Sequence, residues 1–253
     1  MSAPDSPPCE MLTWDTDFFR CRIGRVLGGT LQSDQAMHIE NWARNNRIRC
    51  LYFLSRADDP LTIQIAEQSG FGLVDIRVTF ECAFARLSER VYPELPSGIC
   101  IRPAASKDLT GLQAIARTAH TATRFFSDTH FPRQRVEDFY AAWITLELQG
   151  RAQTVLIAAS AANQPVGYAS CHLDTGRKTG QIGLVGVAAE FRGKGVGKNL
   201  VLAAMDWFRT HEAREVTVVA QGNNQPAQRL YQQCGFLSRD LQLWYHKWYP
   251  ISD

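Results

Sequence analysis

The chain has 253 residues with 27 Lys and Arg against 25 Asp and Glu. A formal net charge of +2 gives no broad electrostatic case for nucleic acid or an anionic membrane, and the length allows one large or two small domains. The seven cysteines are odd in number, scattered and free of Cys-x-x-Cys spacing, which argues against a disulfide framework and a metal site and for a reducing, cytoplasmic setting.

Residues 1–10 are rich in Pro and Ser and are expected to be frayed. They lack a basic segment followed by an apolar one, and no later run approaches 18 apolar residues, so neither a secretory leader nor a membrane span is expected. Trp14 and Phe18-Phe19 precede a predicted strand at 22–27. A helix should follow, with Ser33 as its cap and Ala36, Ile39 and Ala43 on one face, and then a buried strand at 48–54. Asp59-Pro60 is a helix start and Gly70 a helix stop. A long strand is expected at 73–87. Residues 88–97, with Pro93, Pro96 and Glu89-Arg90, form the best linker, so that an N-terminal α/β domain at 11–87 would precede a larger domain at 98–253.

Beyond the linker the predicted order is strand 99–103, helix 105–119, helix 133–149, strands 154–160, 166–173 and 181–187, a helix, strand 215–220, helix 224–233 and a last strand at 236–249. The halves echo each other. Ala66 to Asp75 and Tyr231 to Asp240 align without a gap and share Gln, Gly, Phe and Asp. Both are helix ends turning into strands, through cap chemistry or a degenerate duplication. Ala66 stands where Tyr231 stands and no glycine loop precedes it, which marks the first half as scaffold or acceptor platform.

The chemistry concentrates after residue 182. Apolar residues up to Val187 suit a buried strand; Arg192-Gly193-Lys194-Gly195-Val196-Gly197-Lys198 then leads into a helix. Alternating glycines free the backbone to turn its N–H groups inward at a helix start, and Arg192, Lys194 and Lys198 add positive charge, so the loop suits a pyrophosphate. A P-loop needs four residues between its last glycines and then Lys-Ser/Thr; here three residues separate Gly193 and Gly197, and Asn199 follows Lys198. The dinucleotide fingerprint Gly-x-Gly-x-x-Gly also fails on spacing.

The loop resembles the acyl-CoA loop of the GCN5-related N-acetyltransferases (GNAT), whose Gln/Arg-x-x-Gly-x-Gly/Ala pattern is met by Arg192, Gly195 and Gly197. Residues 224–231, Asn-Gln-Pro-Ala-Gln-Arg-Leu-Tyr, match the same family's Asn-x-x-Ala-x-x-x-Tyr pattern. The resemblance implies a mixed α/β fold with a mostly antiparallel twisted sheet flanked by helices, and acetyl-CoA or another acyl-CoA as cosubstrate. It assigns the backbone of Val185 and Val187 to pantetheine and the thioester oxygen, residues 192–198 to the pyrophosphate, Asn224 to the cofactor side and Tyr231 to the general acid. Asn224 and Tyr231 lie two helical turns apart and share a face. A phenol is protonated at neutral pH and can donate to a departing thiolate. Many relatives carry a Glu on the central strand, but 181–189 contains no acid. His172 on the preceding strand is the nearest titratable alternative to a base supplied by water. The family also ends with one more strand than this chain offers, so the strand at 22–27 is expected to complete the sheet.

Over both halves the chain is also similar to the TDP-fucosamine acetyltransferases, through Leu12-Thr13-Trp14 with Phe18-Phe19, Arg124-Phe125, Phe139-Tyr140-Ala141-x-Trp143-Ile144 and the aromatic ending. That resemblance implies transfer to the amine of a nucleotide-linked deoxyamino sugar, with Arg124 and His130 in a loop over a sugar diphosphate, and allows a homodimer. Two readings stay open beside it: another acceptor amine (antibiotic, polyamine or protein N-terminus), and a module that binds acyl-CoA without turnover.

Overall fold

Local chemistry starts and stops the helix at 60–68 where expected, whereas the helix at 33–45 is capped by Gln32, not Ser33. In the computed structural model, which describes residues 8–87 and 92–250, the Asp59 carboxylate accepts the Thr62 amide at 3.2 Å and Pro60 fills the first helical position. The elements in chain order are β1 Cys9–Met11, α1 Thr13–Phe19, β2 Ile23–Val26, α2 Ser33–Asn45, β3 Cys50–Arg56, α3 Pro60–Gln68, β4 Gly72–Ala83, β5 Cys100–Pro103, α4 Leu109–Ala119 and α5 Arg124–Ser127. Then come α6 Arg133–Leu146, β6 Thr154–Ala159, β7 Pro165–Asp174, β8 Thr179–Val187, α7 Val196–Thr210, β9 Glu215–Gln221, α8 Gln225–Gln233 and β10 Leu237–Trp248.

The chain forms two compact units. The first takes residues up to 77, then 127–131 and everything from 241; the second takes 78–126 and 132–240. In the first unit the strand order is β1-β2-β3-β10. β2 runs parallel to β3, and β10 pairs antiparallel with β3 from Cys50↔Trp248 to Arg56↔Gln242. Ile39, Ala43, Leu51, Phe53, Ile65, Ala66, Phe71 and Tyr245 form its core. Asp128 pins the 127–131 segment there: Oδ2 accepts from His246 Nδ1 at 2.7 Å and Trp248 Nε1 at 2.8 Å, and Oδ1 accepts the His130 amide at 3.0 Å.

These units differ from the expected segments 11–87 and 98–253, because the last strand lies beside β3 and so joins the first unit. N-terminal strands do extend the sheet, but the one beside β10 is β3, and the strand at 22–27 lies one place further out, beside β3. Cys9 and Glu10, in the stretch expected to be frayed, belong to β1. Residues 1–7, and 88–91 of the expected linker, lie outside the described residues.

In the second unit the order is β9-β8-β7-β6-β5, antiparallel except for β8 with β9. Helices cover both faces. On β7 the Tyr168 side chain meets His120, beside Tyr140 of α6, whereas a methyl at the preceding Gly167 would touch Leu200 of α7 at 3.0 Å. The alternation of a strand thus assigns α6 to one face and α7 to the other.

Candidate active site

The glycine loop has the backbone that its sequence requires. Gly193 and Gly195 have φ of +73° and +78°, a region that costs other residues about 1–2 kcal/mol, and Gly195 caps α7. The first amide of this helix with an acceptor is that of Asn199, bonded to Gly195 O at 3.0 Å. Among the described residues the amides of 193–198 have none, and the positive end of a 15-residue helix lies at the same turn. Asn199 steadies the turn from behind, donating Nδ2 to Gly195 O at 3.1 Å and Pro93 O at 3.0 Å. Lys194 and Lys198 remain beside the loop, with Lys194 Nζ 5.7 Å from the centre of the Phe191 ring. Arg192 is turned away: Nε donates to Val187 O at 3.0 Å and a terminal nitrogen to Thr118 O at 3.3 Å. Its guanidinium ties the end of β8 to the end of α4.

Next to the loop, β8 parts from β9. Their parallel register runs from Thr179↔Glu215 to Ile182↔Val218 and no further, although β8 continues to Val187 and β9 to Gln221. The divergence begins at a bulge, where the β7–β8 register shifts between Ala169 and Cys171 and the Leu184 amide donates to Ser170 Oγ at 2.8 Å. Ala188 N bonds to Val166 O at 2.9 Å, so by the alternation of an antiparallel ladder Gly186 pairs with Tyr168, and Val185 and Val187 turn their peptide groups to the side of β9. In that gap no strand meets them among the described residues.

Tyr231 on α8 is 5% exposed and packs against Phe80 and Phe236 at centroid distances of 5.9 and 6.1 Å. Burial raises its pKa, so the phenol keeps its proton across the neutral range. No partner bonds its hydroxyl among the described residues. A methyl at Gly197 would lie 3.5 Å from Leu230 and 3.6 Å from Val187, so the start of α7, the end of β8 and the residue before Tyr231 adjoin. Asn224 caps α8: its Oδ1 accepts the Ala227 amide at 3.3 Å and its Nδ2 donates to Gln221 Oε1 at 3.3 Å.

His172 is paired to a residue that the sequence did not single out. Its Nε2 lies 2.6 Å from Oε2 of Glu147, which is 1% exposed in its side chain. Glu147 opens a π turn, Glu147–Arg151, at the end of α6, and its Oε1 accepts Trp143 Nε1 at 3.0 Å. Burial raises the Glu147 carboxyl, but His172, Ser170 and Trp143 outweigh it and hold the pKa below the usual value. The only hint in the sequence was its i,i+4 spacing from Trp143. Another buried group was equally silent: His120 Nε2 lies 2.7 Å from the Tyr168 hydroxyl and its ring stacks on Tyr140. Burial, with Arg192 nearby, lowers its pKa to about 4. Arg124 and His130 fall in different units; Arg124 lies over the Phe125 ring, and His130 Nδ1 bonds Asp128 Oδ1 at 2.8 Å while its ring stacks on Trp248.

Diverging parallel strands beside a free amide nest at a helix start, inside a mostly antiparallel sheet, define the GNAT class of fold. Residues 115–236 match the model of the acetyltransferase (GNAT) family. It is 28% identical over 164 residues to the spore coat polysaccharide biosynthesis protein SpsD of Bacillus subtilis, covering 62% of this chain and 53% of that protein. A mycothiol acetyltransferase of Saccharomonospora viridis is 26% identical over 205 residues, 76% of this chain and 62% of its own. The chain thus spans between half and two-thirds of the length of these relatives. A GCN5-related N-acetyltransferase from Sphaerobacter thermophilus shares the fold at a TM-score of 0.70 and 17% identity, over 97% of this chain and 78% of that one. No helix among the described residues is long and apolar enough to cross a membrane.

Proposed function

We propose that this protein is an acyl-CoA-dependent N-acyltransferase that works by direct transfer, and that its acceptor is the amine of a nucleotide-linked deoxyamino sugar. The observation that carries the reading is the set of amides at 193–198 with no backbone acceptor among the described residues, beside the gap between β8 and β9, with the buried phenol of Tyr231 on the adjoining helix. A diphosphate supplies the acceptors that these amides lack, and an extended pantetheine, rich in amides of its own, suits the outward peptide groups of Val185 and Val187. These donors fit an acyl-CoA.

The acyl-CoA would present its thioester to the amine. The amine attacks the carbonyl, the C–S bond breaks as the C–N bond forms, and Tyr231 gives its proton to the departing sulfur. No covalent enzyme intermediate is needed. Cys171 and Cys234 are buried, and burial raises the Cys171 thiol to about 12. The sugar acceptor is supported by the similarity to SpsD, whose name places it in polysaccharide biosynthesis, and by the flanking resemblance to TDP-fucosamine acetyltransferases. A cytoplasmic setting fits such a cosubstrate.

The test is free-thiol release from a mixture of acyl-CoAs with dTDP- and UDP-linked amino sugars, a polyamine, an aminoglycoside and a peptide N-terminus, with products identified by mass spectrometry. We expect turnover with a nucleotide-linked amino sugar. Turnover with only another amine would keep the chemistry and reject the acceptor. Acetyl-CoA binding without turnover of any of them would support a binding module.

A further inference from the structure

We propose that His172, oriented by Glu147, is the group that takes the proton from the acceptor amine; this rests on the acyl-transfer reading above. Glu147 is a buried carboxylate whose Oε2 is engaged by an imidazole that keeps 28% of its side-chain surface open. A buried charge of this kind is costly unless paired, and here its partner stands on β7 at the bulge, where β8 leaves β9. The residue facing the ring on β8 is glycine: a methyl at Gly183 would meet Ser170 Oγ at 2.7 Å and His172 Nε2 at 2.8 Å. Gly183 is exposed and lies two residues, about 7 Å of strand, before Val185. The missing side chain leaves room for the Nε2 edge of the imidazole beside β8.

The other groups around the ring leave it free for this task. Arg151 Nε stands 3.8 Å from Oε1 of Glu147, on the far oxygen. Ser170 receives the Leu184 amide, and Asp174, two residues along β7, is turned to Arg177 with Nε 3.8 Å from Oδ2. Gln181, opposite on β8, is neutral. With Nε2 2.6 Å from Glu147 Oε2, a proton held on Nε2 leaves Nδ1 as the basic nitrogen; it has no partner among the described residues. A π turn is an uncommon interruption of a helix that recurs at functional sites, and here it delivers the carboxylate.

In the reaction, the amine nitrogen bonds the thioester carbon as the C–S bond breaks. The proton lost by that nitrogen goes to Nδ1 of His172, and Tyr231 supplies the proton of the free thiol. The imidazolium passes its proton to solvent, the phenolate regains one, and the net products are an amide and CoA. Glu147 acts through His172 and is a positioning residue.

The experiment uses the full chain, acetyl-CoA, and dTDP-linked 4-amino-4,6-dideoxyhexose and glucosamine as probe amines. We expect His172→Gln to lower kcat/KM about 10²-fold, with acetyl-CoA affinity by calorimetry within twofold of wild type, which also reports that the variant is folded. Glu147→Gln keeps the shape of the side chain but removes the carboxylate beside the ring, so kcat should fall about tenfold while the KM for acetyl-CoA stays within twofold. A His172→Gln protein within threefold of wild type, or a Glu147→Gln protein whose kcat is unchanged, would overturn the proposal. Wild-type protein that binds acetyl-CoA yet releases no thiol with these amines or with the polyamine, aminoglycoside and peptide of the panel above would overturn the acyl-transfer reading itself.

Discussion

Tyr231 keeps its proton because it is buried, and its hydroxyl is spare because Phe80 and Phe236 hold the ring by packing alone. Tyr231→Phe preserves that packing and removes only the donor. We expect kcat to fall by about 10²-fold or more with the acetyl-CoA dissociation constant unchanged in calorimetry; equal rates would remove the phenol from the chemistry. His120 carries a different signature. Its pKa near 4 in the fold lies below its unfolded value, so the unfolded chain binds more protons between the two and stability falls as pH drops from about 6.5 towards 4. The effect is at most about 3 kcal/mol. Denaturant midpoints measured across that window should slope for the wild type and flatten for His120→Gln. Tyr231 was legible because it sits in a spaced pattern, whereas Glu147 and His120 were not, because no local pattern distinguishes a carboxylate or imidazole that meets its partner across the fold.

The loop from Gly193 into α7 and the caps of α3 and α8 show how far an element can be read from a few residues. Gly70 and Gly235 have φ of +81° and +91°, and behind them Phe71 N bonds Ala66 O and Phe236 N bonds Tyr231 O, both near 3 Å. The aligned stretches therefore share a helix terminus in geometry as well as in letters, since glycine at this place relieves the strain that a side chain brings. Gly195 makes the same demand where the cosubstrate would bind, with Pro93 and the Glu94 carbonyl 3.4–3.5 Å from where a methyl would stand. Gly195→Ala should weaken acetyl-CoA binding at least tenfold by calorimetry and cost about 1–2 kcal/mol of stability; unchanged affinity would detach the loop from the ligand. Strand and helix identities followed from periodicity and caps, as at 154–160 and 215–220. The bulge at 183–184 did not, because a register shift depends on the partner strand, and α1 escaped because seven residues hold no full apolar repeat.

At the scale of the whole molecule, sequence order misled. The linker chemistry at 88–97 suggested a clean division, yet the first unit draws residues from three separate stretches of chain. Asp128 is the clasp among them. Burial raises its carboxyl, but His246, Trp248 and His130 outweigh this and hold its pKa below the usual carboxylate range. Its stabilisation is therefore complete above the unfolded value near 4 and is lost as pH falls below it. Asp128→Ala strands His246, itself 4% exposed, and should cost about 3–5 kcal/mol in urea unfolding at pH 7. A loss under 1 kcal/mol would mean that packing alone secures the segment.

The pairing of β3 with β10 also bears on biogenesis. Cys50 must wait for Trp248, so a ribosome extrudes every residue between them while one edge of an early apolar strand stands bare. Fast translation offers that edge to neighbouring nascent chains, and slow refolding, inclusion bodies and reliance on holdase chaperones are the expected burdens of this topology.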